Sequence, residues 1–114
     1  MATELNRERM NVHALTAADH GRVLDLTVGD EIVLELPESP STGYRWRAEY
    51  DPALTLVASD WAPAFANTVG GSGIRRLRFR AAARGDGQLK VKHWREWIGE
   101  SSVTDQHSFM IAVR

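Results

Sequence analysis

The side chains with catalytic potential are few and badly placed for catalysis. His13, His20, His93 and His107 show neither metal-ligand spacing nor a pattern of carboxylate companions. Ser72 sits among glycines but lacks the Gly-X-Ser-X-Gly context of a nucleophile elbow. The chain has no cysteine, which removes thiol chemistry, disulfides and thiolate metal sites and leaves the redox compartment open. No acid/base pair appears, and no phosphate-cradling loop leads into a helix. On this reading the chain is not an enzyme and holds no cofactor or metal.

Its chemistry is that of recognition, concentrated in three segments. The first runs from Leu36 to Trp46, and its middle packs two prolines, two serines, a threonine and a glycine into the seven residues Pro37–Gly43. Pro37 and Pro40 fix φ and push their predecessors toward extended geometry, so no helix forms here. Gly43 frees the chain to turn before Tyr44. Such a loop is small and polar at its tip and stiff on one side, which suits presentation of a short backbone segment. It equally suits an ordinary connection between strands, with the Thr42 hydroxyl capping a turn. The second segment is Gly70-Gly71-Ser72-Gly73, and the third is Arg95–Gly99, with Trp97 at its centre.

The elements that position these loops read as strands. A short strand fits Asn11–Thr16, with a turn at 18–21. Leu24, Leu26 and Val28 alternate against Asp25 and Thr27, and Ile32, Leu34 and Leu36 alternate against Glu31, Val33 and Glu35. Gly29-Asp30 between them predicts a hairpin. Tyr44–Ala48 alternates again, placing Tyr44 and Trp46 on one, core-facing side. Leu54–Val57 is a further strand, and Trp61–Asn67, with Pro63, is irregular or a weak edge strand. In Ile74–Ala81, Leu77, Phe79 and Ala81 face in and Arg76, Arg78 and Arg80 form a solvated face. A turn at Arg84–Gly87 precedes Gln88–Trp94, whose parity sets Trp94 opposite Leu89, Val91 and His93. Of the two neighbouring tryptophans, Trp97 is therefore the binder. Residues 95–106 connect to a last strand, Ser108–Arg114. Seven or eight short strands with frequent turn signals and no helical period predict an all-β, immunoglobulin-like Greek-key β-sandwich over residues 11–114, after a flexible lead at 1–10.

The totals agree. With 114 residues, 43% apolar and 25% charged, the chain supports one domain with one core. A net charge of −1 speaks against nucleic-acid binding. No stretch approaches a membrane span of roughly 18 apolar residues. Met1–Met10 has no signal-peptide core, so the chain as written is expected in the cytoplasm, or in the periplasm or outside the cell if it is a trimmed form. A monomer is expected.

With Ile32–Leu36 as strand B, Tyr44–Ala48 as C, Ile74–Ala81 as E and Gln88–Trp94 as F, the three segments become the B–C, D–E and F–G connections, which share one end of such a sandwich. The chain resembles, over roughly residues 12–114, the chagasin-like inhibitors of papain-type cysteine peptidases. The family motif Asn-Pro-Thr-Thr-Gly-Tyr corresponds to Ser39-Pro40-Ser41-Thr42-Gly43-Tyr44, with Trp46 following. Gly-X-Gly-Gly corresponds to Gly70-Gly71-Ser72-Gly73, with Phe79 six residues later, and Arg-Pro-Trp/Phe to Arg95-Glu96-Trp97, with Glu100 nearby. The departures are Ser39, Ser41, Ser72 and Glu96; the last adds a charge and frees a backbone that the motif holds with proline. The resemblance implies a reversible inhibitor of a papain-like, cathepsin L-type peptidase. It implies Ser39–Gly43 as a wedge whose Thr42 hydroxyl and backbone bond near the enzyme's cysteine and histidine. It also implies Gly70–Gly73 as a backbone platform, and Arg95, Glu96 and Trp97 as a lateral anchor. A structural or adhesion module of the same fold, with drifted loops, is the other reading of these residues.

Overall fold

The computed structural model describes residues 11–64 and 72–114. Eight strands form two four-stranded sheets: β1 (Val12–Thr16), β2 (Val23–Leu26), β3 (Glu31–Glu38), β4 (Arg45–Tyr50), β5 (Leu54–Pro63), β6 (Gly73–Ala81), β7 (Gly85–Trp94) and β8 (Asp105–Val113). One sheet has the order β1-β3-β6-β5, the other β2-β8-β7-β4. All neighbours are antiparallel except β1 with β3 and β2 with β8. This is the immunoglobulin-like sandwich, with β3, β4, β6 and β7 at the positions assigned above to B, C, E and F.

The alternating residues do what their period requires. Ile32, Leu34 and Leu36 from β3 and Leu77, Phe79 and Ala81 from β6 meet Leu89 and Val91 from β7 and Phe109, Ile111 and Val113 from β8 in one buried cluster. Leu24 and Leu26 join them from β2. Fully burying one such large side chain contributes on the order of 2 kcal/mol, so this interior supplies most of the drive to fold.

The expected hairpin through Gly29-Asp30 does not form. β2 runs parallel to β8, Val23 opposite Met110 and Leu26 opposite Val113, while β3 pairs with β1 and β6 in the other sheet. Alternation decides which side chains face the core, not which strand lies alongside. Asp30 holds the crossing: its carboxylate accepts the Thr27 and Asn11 N–H groups at 3.0 and 3.3 Å and lies 3.4 Å from His13 Nε2. Burial raises the Asp30 pKa, but these partners outweigh it and hold the carboxyl below its ordinary 3.8.

Two further boundaries differ. Trp61 and Pro63 belong to a continuous edge strand with a register shift between Leu56 and Ala58; Pro63 is its last residue, where a missing N–H is tolerated. Residues 85–87 open β7 instead of forming a turn. The arginine face is an ion-pair ladder, with Arg76 at 2.8 Å from Glu35, and Arg80 and Arg78 at 3.4 and 3.8 Å from Glu31. The exposed Arg76–Glu35 pair contributes little, whereas the buried Glu31 carboxylate depends on its two arginines for compensation.

Candidate functional site

β3, β5 and β7 end, and β4, β6 and β8 begin, at one end of the sandwich: Glu38 opposes Gly73, Pro63 opposes Gly73, Arg45 opposes Trp94, and His93 opposes Asp105. The three segments picked out in the sequence all join strands there.

The first loop is a single tight turn. A short 3-10 turn forms where no helix was expected, because a proline at its first position gives up no N–H that the turn needs. Pro40–Thr42 form one turn of 3-10 helix with proline at its start, closed by Thr42 N–H to Ser39 O (3.1 Å) and Gly43 N–H to Pro40 O (3.0 Å). The Thr42 hydroxyl donates to Ser39 O at 2.7 Å and accepts the Tyr44 N–H at 3.3 Å, so in the free protein it braces the turn from within. Gly43 has φ +83°, and a Cβ there would lie 2.5 Å from Trp97 Cη2. The left-handed backbone calls for glycine, and a Cβ would in addition displace the exposed indole that lies on it. Ser41 and Thr42 stand exposed at the tip.

The third loop closes on the first. Nε and Nη2 of Arg95 donate to the Thr42 carbonyl at 3.2 and 3.0 Å, and its guanidinium carbon lies 4.5 Å from the centre of the Tyr44 ring. The Arg95 side chain is thus engaged with the neighbouring loop, while Trp97 is 72% exposed beside Ile98. Glu96 is exposed and 3.7 Å from Arg47. The freedom expected from Glu96 is limited by Ser102: its Oγ accepts the Arg95 N–H at 2.9 Å and shares its proton between the carbonyls of Arg95 (3.0 Å) and Gly99 (2.6 Å). Trp94 packs under Lys92, whose Nζ is 3.8 Å from the ring centre. Lys92 also reaches Glu100 and Glu49; the Glu100 hydrogen bond, opposed by desolvation and helped by Glu49, raises the lysine pKa above 10.5.

Of the second loop, Gly70 and Gly71 lie outside the described residues. Ser72 O accepts the Ala64 N–H at 3.0 Å, which closes the loop's base. A Cβ on Gly73 would lie 2.3 Å from Trp61 Cε2 and Cζ2 and 2.4 Å from Ala62 O, so packing alone demands glycine there.

Beneath the rim lies a layer that the sequence reading missed. The Glu38 side chain is 0% exposed and pairs with Arg75 through two hydrogen bonds of 2.8 and 3.2 Å. Parity was the available signal, because Glu38 continues Ile32-Leu34-Leu36 and Arg75 precedes Leu77-Phe79 on the inward side. Trp46 and Tyr44 are half-buried, as their shared face implied, and His93 lies between them, 4.9 and 5.2 Å away. His93 Nδ1 is 2.8 Å from Thr104 Oγ1, and its buried Nε2 has no hydrogen-bond partner among the described residues. Burial, only partly offset by Asp105 and Glu38, pushes its pKa below 6.5.

Among the described residues no group of three or more histidine or acidic side chains could hold a metal, and no helix is long and apolar enough to cross a membrane. What the rim offers among the described residues is an internally bonded tip flanked by an exposed indole.

Known proteins share this sequence pattern and this fold. Residues 25–113 match the model of the chagasin family of peptidase inhibitors, I42. Chagasin from Trypanosoma cruzi is 25% identical over 95 residues, covering 78% of this chain and 86% of that protein. Amoebiasin-2 from Entamoeba histolytica is 28% identical over 89 residues, covering 75% and 72%. The crystal structure of a cysteine protease inhibitor from Entamoeba histolytica superposes with a TM-score of 0.84 at 25% identity, covering 93% of this chain and 98% of that one.

Proposed function

The chain belongs to the chagasin family of peptidase inhibitors, and from that premise we propose that it reversibly blocks the cleft of papain-like cysteine peptidases of the cathepsin L type. The observation that carries the reading is the joined rim: the Ser39–Gly43 turn and the Arg95–Trp97 segment are bonded to each other, with Thr42 and the Trp97 indole both exposed.

Ser39, Pro40, Ser41, Thr42 and Gly43 form the wedge. Its small tip lets the backbone approach the cleft closely. The carbonyls of Ser39, Pro40 and Thr42 are already engaged within the protein. A helical turn with occupied carbonyls offers the enzyme's thiolate no scissile bond in attack geometry, which explains inhibition without turnover. Trp97 is the lateral anchor, a large surface with few rotatable bonds, as binding hot spots favour. Arg95 serves by holding the wedge, and Glu96 lies at the edge. Gly70, Gly71, Ser72 and Gly73 flank the cleft on the other side through backbone contacts. Three loops at one rim can supply the roughly 800 Å² per partner typical of protease–inhibitor interfaces.

Titration of papain and a cathepsin L-type enzyme against a fluorogenic peptide tests this. Inhibition at nanomolar concentration, about −12 kcal/mol, is expected. No inhibition at micromolar concentration across several such enzymes would overturn the proposal in favour of a non-inhibitory binding module.

A further inference from the structure

We propose that Glu38, the buried last residue of β3, is the positioning residue that sets the wedge relative to the strands that carry the second loop. The inference rests on the inhibitor reading above.

The carboxylate is fully buried, yet it sits at the edge of the rim as the last residue of β3. It reaches the strand ends that carry two of the loops. Its oxygens bond Arg75, two residues past the start of β6, at 2.8 and 3.2 Å, and lie 3.7 Å from Arg45, the first residue of β4. Its carbonyl accepts the Trp61 indole N–H at 2.9 Å near the end of β5, and the adjacent Pro37 carbonyl accepts the Trp46 indole N–H at 2.7 Å. Arg75 is itself tied to Ser59 Oγ at 3.3 Å. The strand leading into the wedge, the strand leading out, and both strands that carry the second loop are therefore referred to one residue.

A buried ion pair is a poor source of net stability, since apolar residues of similar volume often do as well or better. Its strength is direction: a bidentate carboxylate–guanidinium pair fixes both partners in distance and plane. Apolar side chains would fill the same space without that constraint. A wedge that must enter a cleft in one orientation gains affinity from such pre-organisation.

The test replaces the pair with methionines (Glu38→Met with Arg75→Met) and, separately, makes Glu38→Gln, with Glu35→Ala on the outer face as control. Thermal midpoint, inhibition constant and amide exchange at Thr42, Gly43 and Tyr44 are measured for each. The expected result is a double variant with a midpoint at or above wild type, an inhibition constant raised at least about tenfold, and faster exchange at those amides. Glu38→Gln keeps one hydrogen bond to Arg75 through its amide oxygen and sets its NH2 against the other guanidinium donor, so its midpoint should fall below wild type while its inhibition constant and exchange rise. If the double variant fails to fold, Glu38→Gln against the control decides by the same readings. Unchanged exchange together with unchanged inhibition would overturn the proposal. Should the wild-type protein inhibit no papain-type enzyme, the inhibitor reading fails, and amide exchange alone decides whether Glu38 positions the loop.

Discussion

Gly73→Ala separates two reasons for a glycine at the second loop. If Gly73 serves only as a platform for the peptidase, alanine should weaken binding and leave the fold alone. The structure predicts the opposite order of effects. The new Cβ would fall 2.3 Å from two atoms of the Trp61 indole and 2.4 Å from the Ala62 carbonyl oxygen, and the latter is backbone that cannot swing aside. Overpacking of this kind costs about 1–3 kcal/mol. Displacing Trp61 also breaks its 2.9 Å bond to the Glu38 carbonyl, worth about 1 kcal/mol more. The sum is about 2–4 kcal/mol, which for a domain of this size lowers the thermal midpoint by roughly 10–20 °C. Urea unfolding followed by tryptophan fluorescence reads it directly. A variant with wild-type stability and weakened inhibition would refute the packing argument and return Gly73 to the platform role alone.

Other consequences follow from the same contacts. Gly43→Ala should destabilise by about 1–2 kcal/mol from the left-handed backbone. It should also push Trp97 off the turn, so its effect on inhibition should shrink in a Trp97→Ala background; equal effects in both would refute the contact. Ser102→Ala removes the brace of the third loop and should raise the inhibition constant, while Glu96→Pro in that background should restore much of it by fixing φ. Inhibition unaltered by Ser102→Ala would show that the loop is held by other means. Because the His93 pKa is depressed in the folded state, the unfolded chain takes up this proton first as pH falls. The histidine's contribution is complete above about 6.5 and is lost as pH drops through the folded value. His93→Asn should flatten the stability–pH profile in that range, and an unchanged slope would assign it to other groups.

The interior was legible because a period of two in Ile32-Leu34-Leu36 and Leu77-Phe79-Ala81 states which side chains are buried. Strand partners were not, since Val23–Leu26 satisfies its alternation equally beside β3 or beside β8, and only the sandwich as a whole decides. The tip of the first loop was legible in Pro37, Pro40 and Gly43, residues that act through their own backbones. What escaped was every role set by a distant neighbour. Arg95 was read as an outward anchor, yet it bonds Thr42 across 53 positions. The Thr42 hydroxyl closes its own turn, the role its residue type allowed beside the partner-facing one that the resemblance implied. Gly73 was read as bare backbone, whereas Trp61 lies against it.

Occupation of the peptidase cleft by this rim can be tested directly. Calorimetric titration should compare a papain-type enzyme with its cleft open and the same enzyme with its cysteine covalently capped by a peptide that fills the cleft. Nanomolar binding to the open enzyme is expected, weakened about thirtyfold or more by Trp97→Ala, with no measurable binding to the filled one. Equal affinity for both forms would place the contact elsewhere and contradict occupation of the cleft.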